Sequence, residues 1–148
     1  MIRKGIIFLI ALLIGHEAAW SFTRTIVSVR TIDIHCVLHV RVADDFRERA
    51  RGLMGVDEEE IGDGMLFVFT KPIITKFWME NTPTSLDVYF FDSAGKLVSA
   101  FEDRVPNSRQ LFGPDKPIRY VLETKANAFV HPILSFKFEN QQNVPNCP

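Results

Sequence analysis

The 148-residue chain lacks the features that would mark a nucleic-acid binder, a redox protein or a metalloprotein. Its formal net charge is only -1, so it has no basic excess to bind a phosphate backbone. Its two cysteines form no CxxC motif and lie in no cluster of Cys and His, which argues against a thioredoxin-like role and a structural zinc site. We therefore expect no nucleic-acid partner, no metal and no cofactor.

Sequence signatures of nucleophilic and phosphate-binding enzymes are also missing. The chain contains no GxSxG, no HExxH and no Walker loop. Gly62-Asp63-Gly64 precedes a predicted strand rather than a helix, so it lacks the positive helix end that phosphate binding uses. There is no internal repeat and no long linker, and the length suits one domain. No motif therefore requires an enzymatic activity.

The N-terminal segment, Met1–Ser21, has the pattern of a secretory signal peptide. Two basic residues precede an uncharged apolar run over Gly5–Gly15, whose length falls within the roughly 7–15 residues of such segments. Small residues then favour cleavage before Phe22. An uncleaved N-terminal membrane anchor is the alternative. The sequence thus predicts a periplasmic or secreted protein that touches a membrane only if this segment is retained.

The remaining chain, residues 22–148, has the alternation of apolar and polar side chains that is typical of strands. In the first long strand, Ile32–Val42, this alternation places Cys36 on the buried face. One short helix is predicted over residues 45–54, opened by a capping box and burying Phe46, Ala50, Leu53 and Met54. Later strands are predicted at Met65–Phe69, Phe77–Met79, Leu86–Phe91, Lys96–Glu102, Ile118–Glu123 and Ile133–Glu139, the last with Leu134, Phe136 and Phe138 inward.

These elements predict one mainly β domain with a polar tail at residues 140–148. The expected architecture is a compact antiparallel or mixed β sandwich or a small, jelly-roll-like barrel, with the helix as an appendage. The thirteen Phe residues supply large side chains for its core.

The two cysteines permit a disulfide between Cys36 and Cys147. An exported protein meets an oxidising environment, and the pair is even in number. Against this, a buried cysteine is often a small apolar core residue, and Cys147 lies in a polar tail. Both readings stay open at the level of sequence.

Five motifs, in this order along the chain, closely resemble a bacterial and archaeal family that is catalogued as domain of unknown function 192. They are Arg49–Met54, Gly64–Phe69, Phe77–Thr82, Leu86-Asp87 and Ile118–Glu123. The resemblance runs from about Leu38 to Phe138. It implies a single compact, mainly β domain that is often exported and has no established activity or cofactor.

The chain departs from the family's pattern in two places. The loop over residues 105–117 lacks the cysteines that many exported members carry there. The turn after Glu123 reads Lys125-Ala126-Asn127 instead of Pro-Ala-Gly, so Asn127 is expected to adopt the left-handed conformation that Gly favours. Pro132 then interrupts the segment in which the family has a second helix.

Asp87 is the most informative polar residue, because it lies in a strand of large apolar residues. A buried carboxylate must be paired, or its pKa must rise. Arg119, on another strand, is a possible partner. In the functional reading, Asp87 and Arg119 line a polar pocket and hold a ligand. In the structural reading, Asp87 forms a buried ion pair or accepts backbone N–H groups.

The Phe77–Thr82 segment is a second candidate for binding. Trp78 and Met79 cannot both face the core of a one-sided sheet, so Trp78 is either a core residue or the wall of a pocket. Asn81 and Thr82 are either ligand contacts or a turn that holds the backbone.

Other chemistries have weaker support. The methionines Met54, Met65 and Met79 would suit copper(I), but scattered methionines more often fill gaps in a core. The histidines have no neighbours at ligand spacing. Asp87 with Glu102 and Asp103 could form the carboxylate pair of a hydrolase.

The sequence therefore favours an exported, non-enzymatic β domain that binds a small polar ligand or an envelope protein. The alternative is an envelope hydrolase that uses acidic residues around Asp87 and Glu102. The candidate ligand-binding residues are Arg51, Trp78, Asn81, Asp87 and Arg119.

Overall fold

The computed structural model describes residues 22–140 and 143–148, so the predicted signal peptide lies outside the described part of the chain. The described strands and helices follow one another in this order: β1 Thr23–Arg30, β2 His35–Ala43, α1 Phe46–Arg51, α2 Glu58–Ile61, β3 Met65–Ile73, β4 Leu86–Phe91, β5 Leu97–Arg104, β6 Ile118–Lys125 and β7 Ser135–Phe138. The mainly β class is confirmed.

All of these strands belong to one mixed sheet with the order β5-β4-β6-β3-β2-β1-β7. The pairing is antiparallel except between β2 and β3, which are parallel and joined through the two short helices. The sheet curls into a half-barrel, because its two edges approach each other at one end. There Leu97 N–H donates to the Leu134 carbonyl (2.9 Å), and Phe136 N–H donates to the Gly95 carbonyl (2.9 Å).

The curl gives the sheet an inner and an outer core. Phe91 of β4 contacts Phe136 of β7 at a ring distance of 5.0 Å, although these strands are far apart in the sheet, so their shared face is the inside of the curl. The opposite face of β3, β4 and β6 forms a second cluster, which Leu53 and Ile61 cover from the helical side. Because side chains alternate between the two faces of a strand, Tyr89 and Phe91 of β4 point to the inside of the curl, while Val88 and Phe90 point to the outside.

Helix α1 begins where the sequence predicts, but it buries less than expected. Asp45 caps it and accepts from Glu48 N–H, while the Glu48 side chain reaches back to the Asp45 N–H. Phe46 is 79% exposed and Ala50 is exposed as well, so the prediction that both are core residues is wrong. The helix ends at Arg51, before its apolar stripe can turn fully toward the sheet. Glu58–Ile61, which the sequence indicates as part of an acidic turn, forms the additional short helix α2.

The strand predictions need correction in three places. The sequence indicated no strand at Thr23–Arg30, which forms β1. Phe77–Met79 is not a strand: it makes one isolated bridge, between Phe77 and Phe112, and otherwise runs as an irregular segment. In the last predicted strand, Phe136 is buried as predicted, but Leu134 and Phe138 are 41% and 49% exposed instead of pointing inward. Leu134 precedes β7, and Phe138 is the last residue of β7, where its ring contacts those of Tyr120 (5.9 Å) and Phe136 (5.7 Å).

The C-terminal tail is attached to β2. Cys36 and Cys147 form a disulfide that closes a sequence separation of 111 residues. Val37 N–H donates to the Pro145 carbonyl (2.8 Å), and Cys147 N–H donates to the Val37 carbonyl (3.1 Å). Because β3 pairs only with the end of β2, from Arg41 to Ala43, the tail covers part of the edge that β3 leaves open.

Candidate functional site

A cleft of about 370 Å³ lies on the outer face of the sheet, between α1 and the irregular segment 75–78. Aromatic rings make up much of its wall, and three cationic side chains and one carboxyl group also line it. The residues that line the cleft include Phe46, Arg49, Ala50, Arg51, Phe67, Phe69, Thr75, Lys76, Phe77, Trp78 and Glu123.

Two glycines allow the elements around this cleft to approach closely. A Cβ on Gly64 would lie 2.1 Å from the Glu123 carbonyl oxygen, so the start of β3 can approach β6 this closely only without a side chain. Gly52 ends α1 with a φ of 51°, and a Cβ there would lie 3.1 Å from the Phe67 ring. The helix end therefore rests on Phe67, and the cleft opens beside this contact.

Glu123 is the unusual group of the cleft. Its side chain follows Val121 on the outer face of β6, is only 5% exposed, and lines the cleft. No hydrogen bond or ion pair within the described residues engages its carboxyl group. Burial raises the pKa of Glu123 to about 8, so the group is mostly protonated at neutral pH. A buried, unpartnered acid is costly, and such groups concentrate at functional sites.

Two cations of the cleft, Arg49 and Lys76, are held by contacts with the surrounding protein. The Arg49 guanidinium donates to the Val68 carbonyl (2.9 Å) and to that of Asp44, and it lies over the Phe69 ring at 5.2 Å. Lys76 Nζ lies 2.7 Å from Asp115 Oδ1 and donates to the Gly113 carbonyl (2.5 Å). These contacts fix where the positive charges stand around the opening.

Two of the five candidate ligand-binding residues, Arg51 and Trp78, line this cleft, and so does Thr82. Trp78 is 46% exposed, so of its two predicted roles it is a wall residue rather than a core residue, while its neighbour Met79 is buried. Asn81 adopts a φ of 54°, and its carbonyl accepts from Gly55 N–H (2.8 Å), which is the contact of a turn. Asn81 is not among the residues that line the cleft.

Asp87 lies on the inner face of the sheet, opposite the cleft. It shares this face with Tyr89, and both its carboxylate oxygens accept backbone N–H groups, from Asp103 (2.8 Å) and from Asn127 (2.9 Å). Both donors have a positive φ, of 47° and 60°, so Asp87 holds two left-handed turns in place. The structural reading, in which the carboxylate accepts backbone N–H groups, describes this geometry.

The predicted contact between Asp87 and Arg119 is wrong. Arg119 Nε donates to the Phe69 carbonyl (2.9 Å), and no salt bridge in the described part of the chain joins the two side chains. The physical reason is strand alternation: Arg119 follows the same alternation as Val121 and Glu123, whereas Asp87 faces the inside of the curl.

Sequence reasoning missed Glu123, although the rule that identified Asp87 applies to it. Both are carboxyl groups in strands of large apolar residues. The strand pattern alone does not show that one has two backbone donors and the other none, because those donors come from turns distant in sequence.

The methionines do not assemble into a common site in the described structure. Met65 and Met79 are buried core residues of the outer cluster, while Met54 lines the cleft. Their placement is that of gap-filling side chains.

Fold and site together define a small mainly β domain with a preformed cleft of ligand size on one face of its sheet. The chain belongs to the DUF192 family, described as "Uncharacterized ACR", whose model matches residues 28–133. Among proteins with curated functions, none matches this sequence.

Two solved structures have the same fold. A protein from Sinorhizobium meliloti 1021, described as a proposed transcription regulator, is 30% identical with a TM-score of 0.74, and the match covers 80% of this chain and 96% of that one. A protein of unknown function from Novosphingobium aromaticivorans is 24% identical with a TM-score of 0.74, over 83% of this chain and 90% of that one. Within the described residues, no helix is long and apolar enough to cross a membrane.

Proposed function

We propose that this domain is a binding module, and that the cleft between α1 and segment 75–78 holds a small ligand with an apolar body and a polar group. The observation that carries the proposal is Glu123, a carboxyl group that is buried, has no partner among the described residues and faces the cleft. A bound polar group would satisfy it.

The size and the walls of the cleft support this function. A volume of about 370 Å³ lies within the roughly 300–1,000 Å³ of known small-molecule sites. Rings from β3 and from segment 75–78, such as Phe67 and Phe77, offer apolar surface. Phe67 and Phe77 also pack edge to face at 5.2 Å, so part of the wall is ordered before a ligand arrives.

The apolar part of the site can be tested with a neutral probe, 3-phenyl-1-propanol, titrated into ¹⁵N-labelled protein. Chemical shifts should change at the Trp78 indole N–H and at the amides of residues 49–54 and 75–78. The Ala50→Trp variant fills the cleft from an exposed helical position and should abolish these shifts. Absence of shifts in the unmodified protein, or shifts confined to other surfaces, would refute the function.

Asp87→Asn is the matched control, since it alters the other buried carboxyl group in an apolar strand. It leaves one backbone N–H without an acceptor, so we expect a loss of roughly 1–3 kcal/mol in the free energy of unfolding. The shifts caused by the probe should persist, because Asp87 faces the inside of the curl. If a folded Asp87→Asn protein no longer shows these shifts, the probe does not bind in the cleft as we propose.

We also propose that the module acts outside the cytoplasm. The signal-like segment supports this, and so does the disulfide between Cys36 and Cys147, because disulfides persist mainly in oxidising compartments. The mass of the protein recovered from the periplasm of producing cells is the test: it should lack residues 1–21.

A further inference from the structure

We propose that the cleft selects a small organic monoanion, whose apolar body lies against the aromatic walls and whose carboxylate faces Glu123. This deepens the proposed function and rests on it, since it names the chemical class of ligand for the same site.

The side chains that line the cleft carry more positive than negative charge. The titratable side chains that line the cleft are Arg49 and Arg51 from α1, Lys76 from segment 75–78, and Glu123 from β6. Next to Glu123, its partners on β3 and β4 are the uncharged Met65 and Val88. Lys76 pairs with Asp115, so the positive charge of the lining rests mainly on Arg49 and Arg51. Since Glu123 carries its proton, no negative charge in the lining offsets them, and the low-dielectric walls focus the resulting positive potential.

The second argument is the state of Glu123. Burial keeps the proton on this carboxyl group at neutral pH, with desolvation as the cause. A protonated carboxyl group donates a hydrogen bond, and a carboxylate is a strong acceptor for it. A ligand cation would instead have to take the proton off Glu123 and lie near three positive side chains.

The third argument is the geometry of the walls. Phe67 and Phe77 lie in the cleft together with Trp78, so an aromatic or branched aliphatic body can be buried beside the polar head. The guanidinium carbon of Arg49 lies 5.2 Å from the centre of the Phe69 ring. That ring is therefore engaged by a cation of the protein itself rather than offered to a cationic ligand.

The experiment compares three probes with one common body: 3-phenylpropionate, 3-phenyl-1-propanol and 3-phenylpropylamine. Dissociation constants are measured at pH 6.5 from the Trp78 indole N–H shift. We expect the carboxylate to bind at least about tenfold more tightly than the alcohol, since a hydrogen bond to a charged acceptor is stronger than one between neutral groups. We expect the amine to bind most weakly. A carboxylate no tighter than the alcohol, or an amine tighter than both, would overturn the proposal.

A second measurement isolates Glu123. Between pH 6.5 and 9.5 the affinity for 3-phenylpropionate should fall as Glu123 loses its proton, while the Glu123→Gln variant should bind it with little pH dependence. An Arg51→Gln variant should weaken binding of the carboxylate more than that of the alcohol. Equal pH profiles for the unmodified protein and Glu123→Gln would contradict the role of Glu123.

These outcomes separate the ligand class from the proposed function. If the alcohol binds in the cleft and the carboxylate binds no more tightly than the alcohol, only the proposal that the ligand is an anion fails. If none of the three probes shifts the cleft residues, the binding function itself fails.

Discussion

Replacing Glu123 with Gln is expected to stabilise the protein, and the gain is expected to grow between about pH 5 and pH 8. The pKa of this carboxyl group is 4.5 in its unperturbed form and about 8 in the folded protein. Between these values the folded state keeps a proton that the unfolded chain has released. The folded state therefore binds more protons, and the free energy of unfolding falls as the pH rises.

The size of the expected stabilisation follows from the difference between the pKa values of Glu123 in the unfolded and folded states. Each unit of pKa difference corresponds to about 1.4 kcal/mol, so the buried acid costs the protein on the order of a few kcal/mol by pH 8. Gln has nearly the same shape and does not titrate. Near pH 4.5 the two proteins should therefore have the same free energy of unfolding. The free energy of unfolding of the variant should exceed that of the unmodified protein by a growing amount up to about pH 8 and by a constant amount above that.

Denaturant unfolding of both proteins at pH 5, 7 and 9 measures this difference. Glu102→Gln is the control, because Glu102 is an exposed carboxyl group on β5 and its replacement should leave the pH profile unchanged. If Glu123→Gln and the unmodified protein lose stability in parallel across this range, Glu123 is not the buried acid that the structure shows.

Removal of the disulfide is expected to cause the second large effect. The Cys36–Cys147 bond closes a loop with a sequence separation of 111 residues, and the chain-entropy treatment assigns about 4–5 kcal/mol to a loop of this size. A Cys36→Ala/Cys147→Ala double variant should lose about that much in the free energy of unfolding. The tail contacts at Val37 should also open, because the two backbone hydrogen bonds described there would then have to hold the tail to β2 without the covalent bond.

Guanidinium unfolding of the double variant, with and without reductant, checks this expectation. The unmodified protein should fall to the stability of the variant when it is reduced, while the variant should not respond. A double variant as stable as the oxidised protein would show that the tail contributes nothing through this bond.

The proposed binding function would explain why the domain retains a costly group. A buried acid without a partner lowers stability, and a better-packed apolar residue would avoid this cost. Its position in a preformed cleft therefore favours a functional reason for keeping Glu123, in the way that perturbed groups cluster at functional sites. The same mutation, Glu123→Gln, is predicted to raise stability and to alter the pH dependence of binding, which links the two expectations.

Much of the architecture was predictable from local patterns. Alternation identified β2, other local signals identified most of the later strands, including Leu86–Phe91, and the capping box located the start of α1. Family motifs pointed to the compact β domain, and the family assignment is confirmed over residues 28–133. Local patterns failed where the environment is set by distant parts of the chain: Phe46 is exposed, and Phe77–Met79 runs without strand pairing apart from one bridge.

Most strands after the first, the start of the first helix and the family are properties that the sequence by itself determined, because each depends on neighbours within a few residues or on motifs read in order. Which of two similar buried acids has partners was decided only by the tertiary structure. Asp87 meets two backbone N–H groups from turns at Asp103 and Asn127, whereas Glu123 faces a cleft built from α1 and segment 75–78. Curling the sheet assigns the two carboxyl groups to opposite faces, and no local pattern contains that information.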